Sequence, residues 1–300
     1  MKNKKKFFTK DLIFYVVMLA FPVLQFSLFY IGVNGRSILY SFQTIDKYGN
    51  ATFSIKPLMD AIDLLFTKTM AHRLLISSVS FLLCYGIGTT LALFFSYFIY
   101  KKLPFSTFFK VFLFLPSIIS AIVLATLFKY FVEEAIPAFS YNWFHHTMQG
   151  LMGNKATKYG VLIFYNILVS FGTSVLMYSN AMSGISNEVV EAAKIDGCNP
   201  FREFFHIILP GIFPTITTFA ITSVAAIFMN QISLYSFFSN AASTDVQTIG
   251  YFLYVETLAA NNNESAYPLL SAIGFLLSMV AIPLTILTKH LLEKYGPSDR

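Results

Sequence analysis

Long apolar runs separated by short polar segments make up most of this 300-residue chain. About 20 consecutive apolar residues cross a ~30 Å hydrocarbon layer as a helix. Six stretches reach that length, near residues 12–32, 74–99, 109–131, 159–182, 212–236 and 267–289. The pattern predicts an all-α integral membrane protein with six transmembrane helices. The longest polar connection, residues 33–73, carries turn signals at Asn34-Gly35 and at Tyr48-Gly49-Asn50. Its later part, Pro57 to Arg73, places Leu58, Ile62, Leu65 and Phe66 on one face of an amphipathic helix. Residues 133–158 and 237–266 form two further loops on the same side.

One polar island stands out between the fourth and fifth stretches, residues 187–210. Asn187 is suited to cap a short helix, Glu188 favours its positive N-terminal end, and Asp196-Gly197 stops it. Asn199 and Pro200 then supply the N-cap and first position of a second helix. On that helix Phe201, Phe204, Phe205 and Ile208 fall at i, i+3, i+4 and i+7, a single apolar stripe. The two helices and their turn form an elbow.

Composition agrees with a membrane protein: 56% of residues are hydrophobic, 12% are charged, and the mean hydropathy is +0.63. With the N-terminus inside, six spans leave both termini inside, and thirteen of the 21 Lys and Arg residues then face the cytoplasm. These include Lys2, Lys4, Lys5, Lys6, Lys101, Lys102 and Arg300. The elbow falls on the same side. The basic N-terminus and net charge of +6 therefore read as a topology determinant beside anionic headgroups rather than a nucleic-acid patch. The first apolar stretch is longer than a signal-peptide core, holds Pro22 and Gln25, and is followed by no small-x-small cleavage site, so it reads as a retained span. The expected organisation is a basic N-terminus over 1–11, one membrane domain over 12–290 and a tail over 291–300.

The elbow resembles the EAA loop of ABC-importer permeases: Glu191, Ala192, Ala193, Gly197, Ile207, Leu209 and Pro210 occupy its places, and Asp196 gives the Asp-Gly common in the carbohydrate branch. Two alanines let a helix enter a cleft closely, and a glycine permits the tight reversal. Lys101-Lys102-Leu103-Pro104 with Leu115-Pro116, and Thr248 to Tyr254, look like further segments of sugar-importer permeases, so the similarity spans about residues 74–290. The long first outer loop is typical of the first permease of a pair in the maltose-type family. Two departures stand out. Ser239-Asn240-Ala241-Ala242-Ser243 replaces a common Thr-x-Gly-Gly-Pro, and Cys198 stands where Ala is commoner.

The resemblance implies a bacterial inner-membrane permease subunit with cytoplasmic termini. It implies as partners a second related permease, two ATP-binding subunits, an extracytoplasmic solute-binding protein and membrane lipid, with no nucleic acid. ATP and Mg would be used by the ATPase partner, and no cofactor or metal is expected in this chain, which has no Gly-x-x-x-x-Gly-Lys-Ser/Thr loop. Glu191, Ala192, Ala193, Asp196, Gly197, Phe201, Phe204, Leu209 and Pro210 would couple it to the ATPase.

Other chemistry is sparse. Cys84 and Cys198 fall in different compartments, His145-His146 reads as an interfacial cluster, and Glu133-Glu134 as a solvated boundary. Polar residues inside spans are costly unless they face a cavity or a partner. Asn166 and Tyr178 in the fourth stretch, and Ser223, Asn230 and Gln231 in the fifth, are the candidate solute path. Of these, Ser223 and Asn230 fall near substrate-contacting places of the maltose-type importers. The expected solute is a carbohydrate or oligosaccharide; other permease solutes, glycerol phosphate or a peptide, are the alternative. An ion-coupled secondary transporter fits less well, because the spans lack an evident Asp/Glu/Arg relay. A membrane enzyme would need an acid–base constellation, and none is evident.

Overall fold

A computed structural model describes residues 10–46 and 49–297; the basic run Lys2 to Lys6 and Arg300 lie outside the described residues. The helices are α1 (Phe14–Tyr40), α2 (Lys56–Leu65), α3 (Lys68–Tyr100), α4 (Ser106–Ile118), α5 (Ala121–Phe144) and α6 (Lys155–Ser183). They continue as α7 (Asn187–Ile195), α8 (Pro200–Gly211), α9 (Phe213–Ala225), α10 (Leu234–Phe238), α11 (Ile249–Ala259) and α12 (Tyr267–Tyr295). Among the described residues four helices are long and apolar enough to cross a membrane unbroken, and the number rises to six when each of two bent pairs counts as one span. Contacts group the described residues into two units, residues 10–65 with Glu256–Leu276, and Phe66–Val255 with residues 277–297.

In the first unit the expectation of an all-α chain meets one exception. Gln43–Ile45 (β1) and Ala51–Phe53 (β2) pair antiparallel, with Thr44 opposite Thr52 and their hydroxyls 2.9 Å apart. Gly49, at φ +81°, supplies the left-handed residue that this reversal requires. The other turn signal is overridden: α1 runs through Asn34-Gly35 to Tyr40. Asn34 Nδ2 donates to the Tyr30 carbonyl at 2.6 Å, so the side chain bonds back along the helix instead of capping a turn.

In the second unit α3 and α6 lie side by side. Ser80 and Tyr159 hydroxyls are 2.8 Å apart, and Ser96 Oγ donates to the Val175 carbonyl at 3.0 Å. The sequence offset is 79 in both pairs, so the two helices run parallel, as a single intervening crossing requires. α4 packs on α6 at Gly172, where a Cβ would collide with the Leu113 carbonyl oxygen. Two apolar clusters close this unit. One joins Ala92, Val175, Tyr178 and Met182 to Val190, Phe204, Ile208 and Ile212 beneath the elbow. The other joins Ala125, Leu162 and Tyr165 to Ile232, Leu234, Phe237, Val246 and Tyr251. Beside that second cluster, Glu133 Oε1 accepts the Met152 N–H at 2.7 Å, so the carboxylate ties down a loop rather than lying free at a solvated boundary.

Two expected spans are broken. Between α4 and α5 the chain bends by 101° at Ile119, which is extended. The stretch expected over 212–236 stops as a helix at Ala225. Ile232 and Ser233 are left-handed, and Ile232 and Leu234 are buried. The break is tertiary in origin: Gly250 of α11 brings its backbone so close to Met229 that a Cβ would sit 2.7 Å from that carbonyl.

Candidate functional site

The elbow forms as local rules dictate, with one shift. Ser186, not Asn187, is the N-cap of α7: its Oγ accepts the Glu188 N–H at 3.2 Å, and Asn187 is the first helical residue. At the other end Cys198 N–H reaches the Ala193 carbonyl at 2.9 Å and Gly197 N–H the Lys194 carbonyl at 3.1 Å. Those two bonds, with Gly197 at φ +73°, are a Schellman motif. Asn199 Oδ1 then accepts the Arg202 N–H at 2.8 Å and caps α8, with Pro200 in its first turn.

Burial divides the elbow into two faces. Val190 packs into the chain's own apolar cluster and Ala193 is buried, while Glu191, Ala192, Asp196 and Gly197 face outward. Ile195 is 86% exposed and Phe201 68%, so the outward face includes two large apolar groups. The expected single stripe on α8 is split: Phe204 and Ile208 are buried, whereas Phe201 and Phe205 lie outside and meet at a tilt with centroids 5.1 Å apart. A π turn over Phe204–Ile208 rotates the register and separates the two pairs. Leu209 is partly buried against the same cluster, and Pro210 precedes the 64° bend into α9.

Glu203 was not singled out by the sequence, yet it is 2% exposed. Its carboxylate pairs with Lys101 Nζ, whose side chain is 22% exposed, in the turn that follows α3. Tyr97 OH donates to the Pro200 carbonyl at 3.1 Å, and Phe204 stacks on Phe94 at 5.3 Å. A carboxylate within a Phe-rich amphipathic stretch is the available signal; its partner lies about a hundred residues away and local pattern does not reveal it.

Beyond the cluster beneath the elbow lies a cavity of about 480 Å³ between α3, α6 and α9. Of the candidate solute path it gathers Tyr178, Ser223 and Asn230; Asn166 and Gln231 are not among the described residues of its wall. Asn166 is instead bonded on both sides, donating to the Leu162 carbonyl at 2.8 Å and accepting from Ser233 Oγ at 3.0 Å. Asn230 lies past the end of α9 rather than along a helix, with its Oδ1 accepting the Ile232 N–H at 2.8 Å. Five aromatic rings, Phe81, Tyr85, Phe171, Tyr178 and Phe219, share the wall with Thr89, Ser170, Thr173 and Ser174. No Lys, Arg, His, Asp or Glu is among the described residues lining it. Ser170 and Ser174 donate to carbonyls of their own helix at 2.8 and 3.0 Å, so their oxygens remain as acceptors.

Comparison with known proteins identifies the scaffold. A family described as "Binding-protein-dependent transport system inner membrane component" matches residues 84–296. The sn-glycerol-3-phosphate transport system permease protein UgpA of Yersinia pseudotuberculosis is 25% identical, over 92% of this chain and 94% of that one. The arabinooligosaccharides transport system permease protein AraP of Bacillus subtilis is 26% identical, over 64% of this chain and 61% of that one. A crystal structure of a bacterial ABC transporter involved in the import of the acidic polysaccharide alginate superposes with a TM-score of 0.77 at 16% identity, covering 95% of this chain and 96% of that one. The matched residues take in most of the second unit, with the elbow and all of the described cavity wall except Phe81, and the chain belongs to the family of binding-protein-dependent transport system inner membrane components.

Proposed function

We propose that the chain is one of two related permease subunits of an ATP-driven importer, and that its solute is an uncharged, hydroxyl-rich carbohydrate. In this reading the elbow and both termini face the cytoplasm, and the elbow docks into an ATP-binding subunit through Glu191, Ala192, Asp196, Gly197 and Phe201. A separate binding protein delivers the solute from outside. The Lys101-Lys102 turn and Arg202 lie at the elbow end, in keeping with the excess of positive charge expected on the cytoplasmic side. ATP-driven closure of the ATPases would move the elbow and reopen the cavity alternately to each side.

The observation that carries the choice of solute is the cavity wall. Rings offer flat apolar faces to a pyranose, serine and threonine oxygens accept from its hydroxyls, and the Asn230 amide NH₂ can donate. A phosphate or carboxylate buried there would lack a cationic partner among the described residues of the wall, a placement that costs several kcal/mol. Glycerol phosphate, the solute named for relatives that align along most of the chain, is the second reading. Uptake into proteoliposomes holding the whole transporter and its binding protein separates the two. Neutral oligosaccharides should be transported and should compete with one another, while glycerol phosphate and uronic-acid oligomers should do neither. Transport of the anions in preference to neutral sugars would reverse the assignment.

A further inference from the structure

We propose that the buried Lys101–Glu203 pair is the clamp that carries displacement of the elbow into α3, and so into the wall of the cavity. The inference rests on the reading that the elbow engages an ATPase. The elbow is joined covalently only to α6 and α9. α3 forms one side of the cavity through Phe81, Cys84, Tyr85, Gly88 and Thr89 and has no chain connection to the elbow. Its mechanical link is therefore non-covalent, and it is concentrated at the start of α8. Three contacts act together there: the Lys101–Glu203 ion pair, the Tyr97 hydroxyl on the Pro200 carbonyl, and Phe204 against Phe94 and Tyr97 at 5.3 and 5.1 Å.

The ion pair sets the strength of this link. Glu203 is almost wholly removed from water, so its charge relies on the Lys101 ammonium beside it, with the Tyr97 hydroxyl as a second partner. That ammonium is itself held 5.5 Å from the Tyr97 ring centroid and 6.0 Å from that of Tyr100, both on α3. Pulling α8 away from α3 would strand a buried carboxylate, so the two move together. Sliding of α8 along aromatic faces alone would meet far less resistance. From Tyr97 to Thr89 is eight residues, roughly 12 Å of rigid helix, so a displacement at the clamp arrives at the cavity undiminished.

The burial difference predicts an asymmetry. Lys101→Met leaves Glu203 buried without a cation, whereas Glu203→Gln keeps the shape and leaves a lysine that can turn to solvent. Both Lys101→Met and Glu203→Gln should uncouple, the first more severely. Glu203→Gln leaves no charge stranded and is the variant expected to assemble.

The test uses the complete transporter in proteoliposomes with its binding protein and a Cys198→Ser background, which makes Cys84 the sole thiol of this chain. Cys84 lies on the α3 wall of the cavity. In the parent its reaction rate with a small thiol reagent should change on ATP binding. In Glu203→Gln that change should shrink by roughly tenfold, and solute moved per ATP hydrolysed should fall in step, within the span of ordinary coupling energies. An assembled Glu203→Gln complex that keeps the full nucleotide-dependent change at Cys84 and the parent transport ratio would overturn the clamp alone. Failure of the parent complex to hold an ATPase at the elbow would overturn the docking reading, and the clamp with it.

Discussion

The Tyr178 ring meets Phe219 edge-on, with centroids 5.4 Å apart, where the cavity ends and the packed layer beneath the elbow begins. Tyr178 belongs to both regions, lining the cavity while being buried in the cluster with Val190, Phe204 and Ile208. The two rings therefore floor the cavity on the elbow side. Tyr178→Phe keeps the ring and should leave uptake ATP-dependent. Tyr178→Ala deletes a buried aromatic, which typically costs ~3–5 kcal/mol, and should also open the floor. Solute entry without ATP, measured in liposomes, should rise in Tyr178→Ala; a tight, fully ATP-dependent Tyr178→Ala complex would remove the pair from that role.

Asn166 and Asn230 should behave differently although both are amides in apolar stretches. Loss of the Asn166–Ser233 bond should lower the thermal stability of the complex by an amount equivalent to ~0.5–1.5 kcal/mol, with solute preference unchanged. Asn230→Ala and Ser223→Ala should instead alter the ranking of two or three related sugars in uptake by stable complexes. An altered ranking in Asn166→Ala, or none in both cavity variants, would reverse these assignments.

Gly172 and Gly86 offer a matched pair. A methyl at Gly172 would collide with the Leu113 carbonyl, whereas nothing lies within 4 Å of one at Gly86. Gly172→Ala should therefore cost about 1–3 kcal/mol, as overpacking does. Gly86→Ala should be neutral or stabilising by up to ~1 kcal/mol, the helix propensity gain. Thermal unfolding of the two detergent-solubilised variants checks the order.

Topology can be read at Cys198, which is partly exposed in the turn of the elbow. A membrane-impermeant thiol reagent should modify it in inverted vesicles stripped of ATPase and leave it untouched in intact cells. Modification from outside intact cells would invert the proposed orientation.

The elbow was legible because its signals are local: Asp196-Gly197 and Asn199-Pro200 each specify geometry within a few residues, and both act as expected. Misplacing the cap by one residue, from Ser186 to Asn187, is an ambiguity between two adjacent residues that both cap well. The split of the α8 stripe was hidden because helical periodicity assumes an α register, and the π turn at Phe204 breaks it. The early end of α9 was hidden for a different reason. Residues 226–232 are apolar apart from Asn230 and Gln231 and hold no glycine or proline, and the break depends on Gly250, which approaches from α11. The Lys101–Glu203 pair is likewise a product of the tertiary fold, as is the separation of Asn166 from the cavity that Asn230 joins.

The most direct measurement concerns Ile195, an apolar side chain left almost fully exposed on the outward face of the elbow. A photo-crosslinking amino acid placed at Ile195 in the assembled transporter should yield one dominant adduct, with the ATP-binding subunit, and the adduct should change in yield when nucleotide binds. Adducts with the solute-binding protein or with lipid alone, from a complex that still transports, would contradict the assignment of the elbow as the site where ATP hydrolysis is coupled to this chain.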